Sequence, residues 1–587
     1  MRYKEFRALL LKRFSIPKVH AVEKILRKFS TAEKALFYFL AGIFAFSGII
    51  LLAKVNNAFL VEVPIRGGSL VEGTVGNPRF INPVLALSEA DKNLSSLIYS
   101  GLVRLTPEGK VENDLAEVSL SKSRLTYTAR IYNSARFHDG MPVTADDVVF
   151  TISKIADPLI KSPKRGNWDG VAVEKIDDKT VTFTLREPYT PFIYNLNLGI
   201  LPKHIWKNVT DDEFSFSQFN TLPMGSGPYQ VLKVERNSGG IPNYYKLIAF
   251  KDGSAKVPYI TNLIFKFYPS EETLLEAYAS RHVDSISGIS PEKLKNLKRQ
   301  DSRIVTSSLP RVFAVFFNQS RSKALLAKEA RQAFDLISPR KEIVSKILGG
   351  YGTATSLPLP AGIYNWPNAA EEKTFDERLS QAKEILAKAG WAPNKDTGIL
   401  EKKSGSSIIK LSFSISTGDA PELQAVAETL AASWRQLGAN IEILSYETGD
   451  LNQNVIRPRN FEALLFGEVV SRNADLYPFW HSSQRTDPGL NIALYANGRA
   501  DKLLDSARSA ENFETIEKNY KDFVAEIKKD IPAVFLYTPS FLYVVPENLR
   551  EVNIKSLAVA QDRFLGVRDW YIETDKVWKI FDTNLTN

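Results

Sequence analysis

The sequence contains no cysteine, and this absence excludes three kinds of structure. Without thiols the chain can form no disulfide bond, no thiolate metal site and no lipid-modified cysteine anchor, although its redox compartment stays undetermined. Histidine is also scarce, and the five residues show neither an H-E-x-x-H motif nor any other paired spacing. They are His20, His138, His204, His282 and His481. The sequence therefore predicts no metal site and no cofactor.

Net positive charge is concentrated at the N-terminus. The whole chain carries a formal net charge of +9, but residues 1–35 hold ten Lys/Arg against three Glu, a net charge of +7. The remaining residues therefore carry 9 − 7 = +2. A nucleic-acid reader needs a basic stripe on its folded body. The near-neutral body excludes nucleic acid as a partner and assigns the charge to a tail.

A single long apolar run follows the basic tail. Residues 36–53 (LFYFLAGIFAFSGIILLA) form eighteen consecutive residues without a charge. As a helix they would span about 27 Å, enough for the hydrocarbon core of a membrane. A signal-peptide apolar region is the alternative, but such regions are shorter and end in an A-x-A-like cleavage site, which Lys54-Val55-Asn56-Asn57 does not offer. We expect an uncleaved anchor with a cytoplasmic N-terminus and an extracytoplasmic body, because basic residues flank the cytoplasmic side. The tail, from Phe14 to Phe29, also has the apolar spacing of an amphipathic helix on the inner leaflet.

The stretch from Leu125 to Ile155 predicts a strand, a tight turn and a capped helix. Residues 126–132 alternate in the manner of a strand rich in aromatic and β-branched residues. His138-Asp139-Gly140 supplies a turn, and Thr144 is a candidate N-cap before two acidic residues in a first helical turn. Read alone, this unit is scaffold.

The same stretch resembles a known family. The string Y-T-A-R-I followed by A-R-F-H-D-G-M-P-V-T-A-D-D-V-V-F is similar to the signature region of the family 5 solute-binding proteins of ABC importers, which include oligopeptide, dipeptide and nickel binders. Further family-like elements follow the chain in register over roughly residues 70–550. They are N-P and I-Y-S-G-L (82–83 and 98–102), L-P-K-H (201–204), P-M-G-S-G-P-Y (223–229), R-Q-A-F-D-L-I-S-P-R-K-E-I-V (331–344) and N-I-A-L-Y-A-N-G-R-A-D (491–501).

Enzyme motifs find little support. Ser226 lies between glycines, but a G-x-S-x-G nucleophile elbow needs a glycine where Met224 stands, so we expect the glycines to permit a sharp chain turn instead. Gly349-Gly350-Tyr351-Gly352 lacks the lysine and Ser/Thr of a phosphate loop. No pair of carboxylates stands out by spacing. The alternative function is a membrane-tethered extracytoplasmic hydrolase. Saturable ligand binding without any product would exclude this alternative.

The length and the resemblance together predict the architecture. At 587 residues the chain needs two or more lobes. The resemblance implies an α/β, two-lobed periplasmic-binding-protein-like fold (type II, with an extra subdomain) after one N-terminal transmembrane helix. Local patterns add a hairpin with its turn at 177–180 and a βαβ unit over 409–445, which implies a parallel sheet. The predicted division is a basic tail (1–35), an anchor (36–53), a linker (54–68), lobe I (69–305 and 540–587, with the subdomain at about 105–220) and lobe II (306–539).

The resemblance also implies a function and a site. It implies a receptor that captures a peptide or other small solute between its lobes and delivers it to permease and ATPase subunits. In peptide-binding relatives the loop before the first helix touches the ligand, which maps to Leu87, Ser88 and Glu89; a plain surface loop is the alternative for these side chains.

A second implied contact involves the ligand's ammonium group. In peptide-binding relatives an aspartate shortly before a D-P dipeptide pairs with this group, and the matching segment here is Phe466–Trp480. If Asp475 is aligned with the aspartate of the D-P dipeptide, Arg472 or Ser471 takes the position of the acid that pairs with the ammonium group. A buried cation facing that ammonium group would cost several kcal/mol. A small gap would instead give the role to Glu468 or Asp475. We expect Asp475 and Arg472 to line the cleft with Trp480 nearby. The candidate ligand-binding residues of this segment are Phe466, Arg472, Asp475 and Trp480.

Overall fold

The computed structural model of the chain describes residues 24, 26–253, 256–294, 297, 301–360, 363–364, 366, 373–470, 475–555 and 557–581. The amphipathic helix predicted in the basic tail falls almost wholly outside these residues. The chain forms two compact units. One contains the chain up to Ile65 together with the residues from Thr574 onward, and we call the other, Arg66–Glu573, the body.

The smaller unit consists of a long helix and a two-stranded sheet. Helix α1 (Thr31–Phe59) begins at a capping box in which Ser30 and Glu33 bond each other, and none of its residues is buried. Its length of 29 residues and mean hydropathy of 2.4 suit a membrane-spanning helix, although a signal sequence has the same properties. Strand β1 (Leu60–Pro64) follows directly and pairs antiparallel with the C-terminal strand, β23 (Thr574–Trp578).

The segment after the predicted anchor differs from the expectation. The helix extends beyond residues 36–53 at both ends, and the stretch predicted as a linker, 54–68, contains the last helical turns and β1. No glycine or proline lies between Ala53 and Phe59, so nothing in the local sequence stops the helix there.

Strands and helices follow each other along the body. In its first part they are β2 (Gly67–Val75), α2 (Glu89–Ile98), β3 (Val103–Leu105), β4 (Val111–Asn113), β5 (Ala116–Leu120), β6 (Thr126–Ile131), α3 (Ala145–Ala156), β7 (Ala172–Lys175), β8 (Thr180–Thr184), α4 (Lys203–Trp206), β9 (Tyr229–Arg236), β10 (Pro242–Ala249), β11 (Ile260–Tyr268), α5 (Glu271–Ala279), β12 (Ser285–Ser287) and α6 (Pro291–Leu294).

In its second part they are β13 (Ser302–Ser308), β14 (Arg311–Phe317), α7 (Lys323–Leu326), α8 (Lys328–Ile337), α9 (Arg340–Glu342), β15 (Gly352–Ala354), α10 (Phe375–Lys388), β16 (Ala392–Pro393), β17 (Leu400–Ser404), β18 (Ser407–Lys410), β19 (Ser412–Gly418), α11 (Pro421–Arg435), β20 (Asn440–Tyr446), α12 (Thr448–Asp450), β21 (Ala463–Val469), α13 (Tyr477–Trp480), α14 (Gly498–Ser509), α15 (Phe513–Asp530) and β22 (Ala533–Pro546).

The long strand β22 joins the two lobes of the body. A 12-stranded sheet runs in the order β20-β19-β21-β14-β22-β12-β2-β11-β10-β9, with β13 and β15 also paired to β22. The first part of β22 pairs with β14 and its second part with β13, so the strand changes partners near Pro539. Pro310, between β13 and β14, lies in the other crossing segment. Prolines lack the N–H that a ladder bond needs, which favours a change of partner at these positions. The lobe boundaries themselves stay a prediction.

The signature stretch has the predicted local structure. Strand β6 belongs to the sheet β5-β6-β8-β7, the turn places Gly140 at φ +86°, and α3 begins after Thr144. The cap differs in detail, because the Thr144 hydroxyl donates to Asp147 at 2.7 Å instead of accepting from the backbone. The predicted hairpin is present as the antiparallel pair β7–β8, and the predicted βαβ unit as the parallel pair β19–β20 flanking α11.

The glycines of P-M-G-S-G-P-Y allow a close backbone approach, in a segment that also bends at residues 226–228. A Cβ added to Gly225 would lie 2.0 Å from the Ile98 carbonyl oxygen, and one added to Gly227 would lie 2.5 Å from the Leu97 oxygen. Only a residue without a side chain allows this segment to lie against the end of α2. The Gly227 N–H also donates to the Ile98 oxygen at 2.8 Å.

We expect Gly225→Ala to lower the free energy of unfolding by about 1–3 kcal/mol, because the added methyl group overpacks a backbone contact that cannot yield easily. Gly498→Ala is the matched control, since a Cβ there meets no atom within 4 Å and lies in the first turn of α14. Urea unfolding followed by tryptophan fluorescence measures both. Equal stability of the two variants would contradict the close-approach role of Gly225.

Candidate functional site

A cavity of about 670 Å³ lies in the body between two walls from distant parts of the chain. One wall comes from residues 166–171 and 185–195, which surround the sheet of the signature stretch. The other wall comes from the stretch predicted as lobe II and consists of Val469, Asp475, Pro478, Phe479, Leu490 and Arg508. The volume lies within the range of about 300–1,000 Å³ that is usual for ligand pockets.

The second of these walls carries an ion pair between Asp475 and Arg508. Arg508 donates to Asp475 Oδ2 from Nε at 3.0 Å, and its Nη2 lies 2.9 Å from the same oxygen. The Tyr477 N–H donates to the other carboxylate oxygen at 3.1 Å. The Asp475 side chain is 8% exposed and that of Arg508 37%, so the cation is the partner that solvent reaches. Asp475 therefore lines this cavity with its charge already matched, and its predicted role in ligand binding stays a prediction.

Arg508 also reaches toward both walls. Its guanidinium carbon lies 4.2 Å from the ring centroid of Tyr477 on its own side and 5.7 Å from that of Tyr189 on the opposite side. Cations within about 6 Å of an aromatic face are attracted to it. Arg508 thus lies within cation–π distance of an aromatic ring on each wall.

Direct hydrogen bonds connect the walls at one rim. Arg124 Nη2 donates to the Ala510 carbonyl at 3.0 Å, and the Thr190 hydroxyl donates to the same carbonyl at 3.3 Å. These contacts join residues 124 and 190, on the side of the signature stretch, to the loop between α14 and α15.

A second cavity of about 270 Å³ shares Asn167, Tyr194 and Asn195 with the first. Lys92 and Lys164 are in its lining. Burial lowers the pKa of Lys164, and repulsion by Lys92 lowers it further, while Asp562 acts in the opposite direction. A desolvated ammonium group beside a second one is unfavourable unless an anion is present. Within the described part of the chain neither amine forms an ion pair or hydrogen bond.

The other cations of this cavity already have partners. Arg104 pairs with Glu112 at 2.7 Å, and Arg568 lies 3.9 Å from Asp114. The two lysines are therefore its distinctive feature.

The predicted loop residues before α2 have three different environments. Leu87 is exposed, with 59% of its surface accessible. Ser88 is the N-cap of α2, and its hydroxyl accepts from the Asp91 N–H at 3.1 Å. Glu89 accepts from the Ser287 hydroxyl at 3.3 Å and lies 3.7 Å from Arg563. Leu87 and Glu89 thus remain candidates for ligand contact, whereas the Ser88 side chain is engaged in capping.

The predicted aromatic contact Trp480 is a core residue in this structure. It is 0% exposed, and its neighbours include Phe316, with ring centroids 6.1 Å apart, and Phe535, at 5.7 Å. Phe466 is half-buried against the same core. Neither lines the 670 Å³ cavity, to which the short helix α13 contributes Pro478 and Phe479.

Arg472 and Ser471 lie outside the described residues. Glu468, the other acid considered for the ligand's ammonium group, is 5% exposed, and burial raises its pKa well above the ordinary value. Of these two acids only Asp475 lines the 670 Å³ cavity, whose opposite wall also contains Asp169 and Glu187.

Sequence reasoning missed Arg508, Tyr189 and the two lysines. Arg508 ends an unremarkable amphipathic helix, and no local pattern marks it. Lys164 stands in a loop, K-S-P-K-R-G-N-W, whose proline, glycine and basic residues are typical of exposed functional loops. That loop composition is the one sequence feature that could have indicated a functional role for Lys164.

The sequence matches a family model and a characterised relative. Residues 110–489 match the family model of bacterial extracellular solute-binding proteins, family 5 Middle. The oligopeptide-binding protein AppA of Bacillus subtilis (strain 168) is 29% identical over 498 residues, which cover 83% of this chain and 89% of that protein.

Solved structures are similar over most of the chain. AppA of B. subtilis in complex with a nonapeptide has a TM-score of 0.64 at 28% identity, covering 87% of this chain and 100% of that one. NikZ of Campylobacter jejuni in complex with Ni(L-His) has a TM-score of 0.65 at 25% identity, covering 86% and 99%. The family model alone spans more than half of the sequence. The fold is thus the expected two-lobed α/β binding-protein fold, and the chain belongs to the bacterial extracellular solute-binding proteins of family 5.

Proposed function

We propose that the chain is the extracytoplasmic receptor of an ABC importer and that it binds peptides in the cavity between the two walls. Family membership makes it a solute receptor and not an enzyme, and nothing supports the hydrolase alternative. Its similarity to an oligopeptide-binding protein supports peptides as the ligand class. The observation that carries the proposal is the cavity itself, since its two walls come from separate parts of the chain and meet at a hydrogen-bonded rim.

Closure of the walls supplies the signal to the transporter in this proposal. β22 and the segment at Pro310 are the two connections between the lobes, which suits a hinge. A ligand that contacts both walls favours the closed state, because it binds that state better.

The charged groups suggest how a peptide is oriented. Lys92 and Lys164 are placed to receive a carboxylate, which would offset the burial of the Lys164 ammonium group and its repulsion by Lys92. Asp475 could receive an ammonium group only by sharing its carboxylate with Arg508. We therefore propose that the two lysines recognise a ligand's acidic end and that Asp475 by itself does not bind its amine.

Membrane attachment through α1 completes the proposed function. The basic tail lies on the cytoplasmic side, and the body is extracytoplasmic, as the charge asymmetry around the apolar run favours. The permease and ATPase subunits of the importer are the expected partners.

Calorimetry on the full chain in detergent tests the proposal with short peptides that are free, N-acetylated or C-amidated. We expect saturable binding without cleavage products, and roughly tenfold or greater loss of affinity on C-amidation, because a charge-assisted hydrogen bond contributes about 1.5–3 kcal/mol. Lys164→Met should remove the difference between free and amidated peptides. Lys110→Met, an exposed lysine outside both cavities, should keep it.

Two results would contradict the proposal. Equal affinity of the wild type for free and amidated peptides would exclude the carboxylate subsite. Shortened peptides detected by mass spectrometry would show turnover and favour the hydrolase.

A further inference from the structure

The C-terminal strand binds directly to the end of helix α1. In the antiparallel pair of β1 and β23, Leu60 lies opposite Trp578 and Pro64 lies opposite Thr574. The indole N–H of Trp578 donates to Asn56 Oδ1 at 2.9 Å, and the rings of Phe59 and Trp578 lie 6.5 Å apart. Asn56 and Phe59 are both helical residues, so the contact extends beyond the sheet into the helix itself.

Helix geometry places this contact at a defined depth. The uncharged run 36–53 spans the hydrocarbon core with about 27 Å, and Lys54–Phe59 adds about 9 Å beyond it. The polar region on each side of a bilayer is about 5–8 Å thick. If α1 crosses the membrane, Trp578 therefore lies at the level of the lipid headgroups.

The side chains at this level suit a membrane interface. Phe59 is 55% exposed, Trp578 47% and Ile580 75%, within a small unit that covers none of them. Lys579 lies between the last two in sequence and is also exposed. Tryptophan with an apolar body and a polar N–H is favoured at headgroup depth, and nearby lysine can reach lipid phosphates.

We propose that Thr574–Phe581 is a second membrane contact, which seats Trp578 and Ile580 among the lipid headgroups beside α1. The proposal rests on the proposed anchor. It implies that the helix is retained, because cleavage within the apolar run would remove the membrane-spanning part of α1 beside which Trp578 is seated. It also implies that both chain connections of the body, at Arg66 and at Glu573, start from one membrane-seated sheet.

Single-cysteine labelling is a clean test, because the chain has no cysteine of its own. The full chain is reconstituted in vesicles of phosphatidylethanolamine and phosphatidylglycerol, and an environment-sensitive fluorophore is placed at Ile580→Cys. Lipids that carry a quencher in the headgroup or in the acyl chain report its depth. The matched references are Phe44→Cys within α1 and Ile176→Cys on the body, which are 82% and 60% exposed.

We expect headgroup quenchers to quench the label at 580 severalfold more than the label at 176, and acyl-chain quenchers to act most on the label at 44. A disulfide should form in Leu60→Cys/Trp578→Cys, whose strand positions are paired, but not in Leu60→Cys/Thr574→Cys, which lie at opposite ends of the sheet.

Three results would overturn the proposal. In the first, acyl-chain quenchers quench the label at 44 while the label at 580 is no more quenched than the label at 176. This result would leave the anchor intact and exclude the second contact. A label at 44 outside the lipid would exclude the anchor and with it the second contact. Absence of the 60–578 disulfide would exclude the strand pairing on which the depth depends.

Discussion

Arg563→Met should lower the free energy of unfolding by about 3–5 kcal/mol, the largest loss that we expect from a single substitution, because it leaves a buried carboxylate without its counter-charge. Arg563 is 0% exposed and Glu72 1%, and their Nη2 and Oε1 atoms lie 2.9 Å apart. Glu72 also accepts from the Tyr543 hydroxyl at 2.9 Å and from the Ser285 hydroxyl. Arg563 further donates to Asn93 Oδ1 at 3.0 Å.

Urea unfolding of the full chain in detergent measures the effect, and a double variant separates charge from packing. In Glu72→Gln/Arg563→Met the remaining amide oxygen still accepts from the hydroxyls and carries no charge, so much of the lost stability should return. Lys346→Met is the surface control, since its pair with Glu342 has side chains 74% and 44% exposed and should contribute nothing measurable. A double variant as unstable as Arg563→Met alone would contradict the electrostatic cause.

Acid should destabilise the body through His138 by about 3 kcal/mol between pH 6.5 and pH 4. Burial lowers the pKa of His138 to about 4, against the opposing influence of its hydrogen bond to the Gly227 carbonyl and of Asp139. The ring lies against the P-M-G-S-G-P-Y segment, with Nε2 3.1 Å from the Gly227 oxygen and Nδ1 3.4 Å from the Gly225 nitrogen. The unfolded state, with its ordinary pKa near 6.5, binds a proton across this window before the folded state does. Stability is therefore full above pH 6.5 and is lost as the pH falls toward 4.

The measurement is the free energy of unfolding at half-unit pH steps for the wild type and His138→Gln. Glutamine can hydrogen-bond both glycines but does not titrate, so the difference between the two curves isolates the histidine. His282→Gln, at a histidine on a different surface loop, is the control for loss of any imidazole. If the free energy of unfolding changes with pH in the same way in the wild type and in His138→Gln, burial of His138 does not contribute to the loss of stability in acid.

Local patterns predicted the elements that depend on near neighbours. The strand, turn and helix of 126–156, the β7–β8 hairpin and the parallel unit β19-α11-β20 were all predictable from alternation, turn residues and helical spacing. The apolar run was equally clear, although its helix is longer than the run, because helix continuation needs only the absence of breakers. The ordered family motifs made the two-lobed fold predictable, since such a long string identifies a fold beyond local propensity.

Contacts between distant residues could not be predicted in this way. Glu72 and Arg563 are 491 positions apart in the sequence, and Asp475 and Arg508 are 33 apart, yet each pair shares one site. Trp480 shows the converse, because a tryptophan beside predicted cleft residues is directed by α13 into the core while Pro478 and Phe479 face the cavity.

The sequence by itself determined the family, the two-lobed class and the single apolar helix. The order of the motifs identifies the family and its fold, and the uncharged run identifies the helix. Only the tertiary structure decided which charges are matched, which lysines share a cavity and that the C-terminal strand closes on the helix end. The physical reason is that burial and pairing depend on which surfaces the folded chain brings together, and no local pattern encodes that choice.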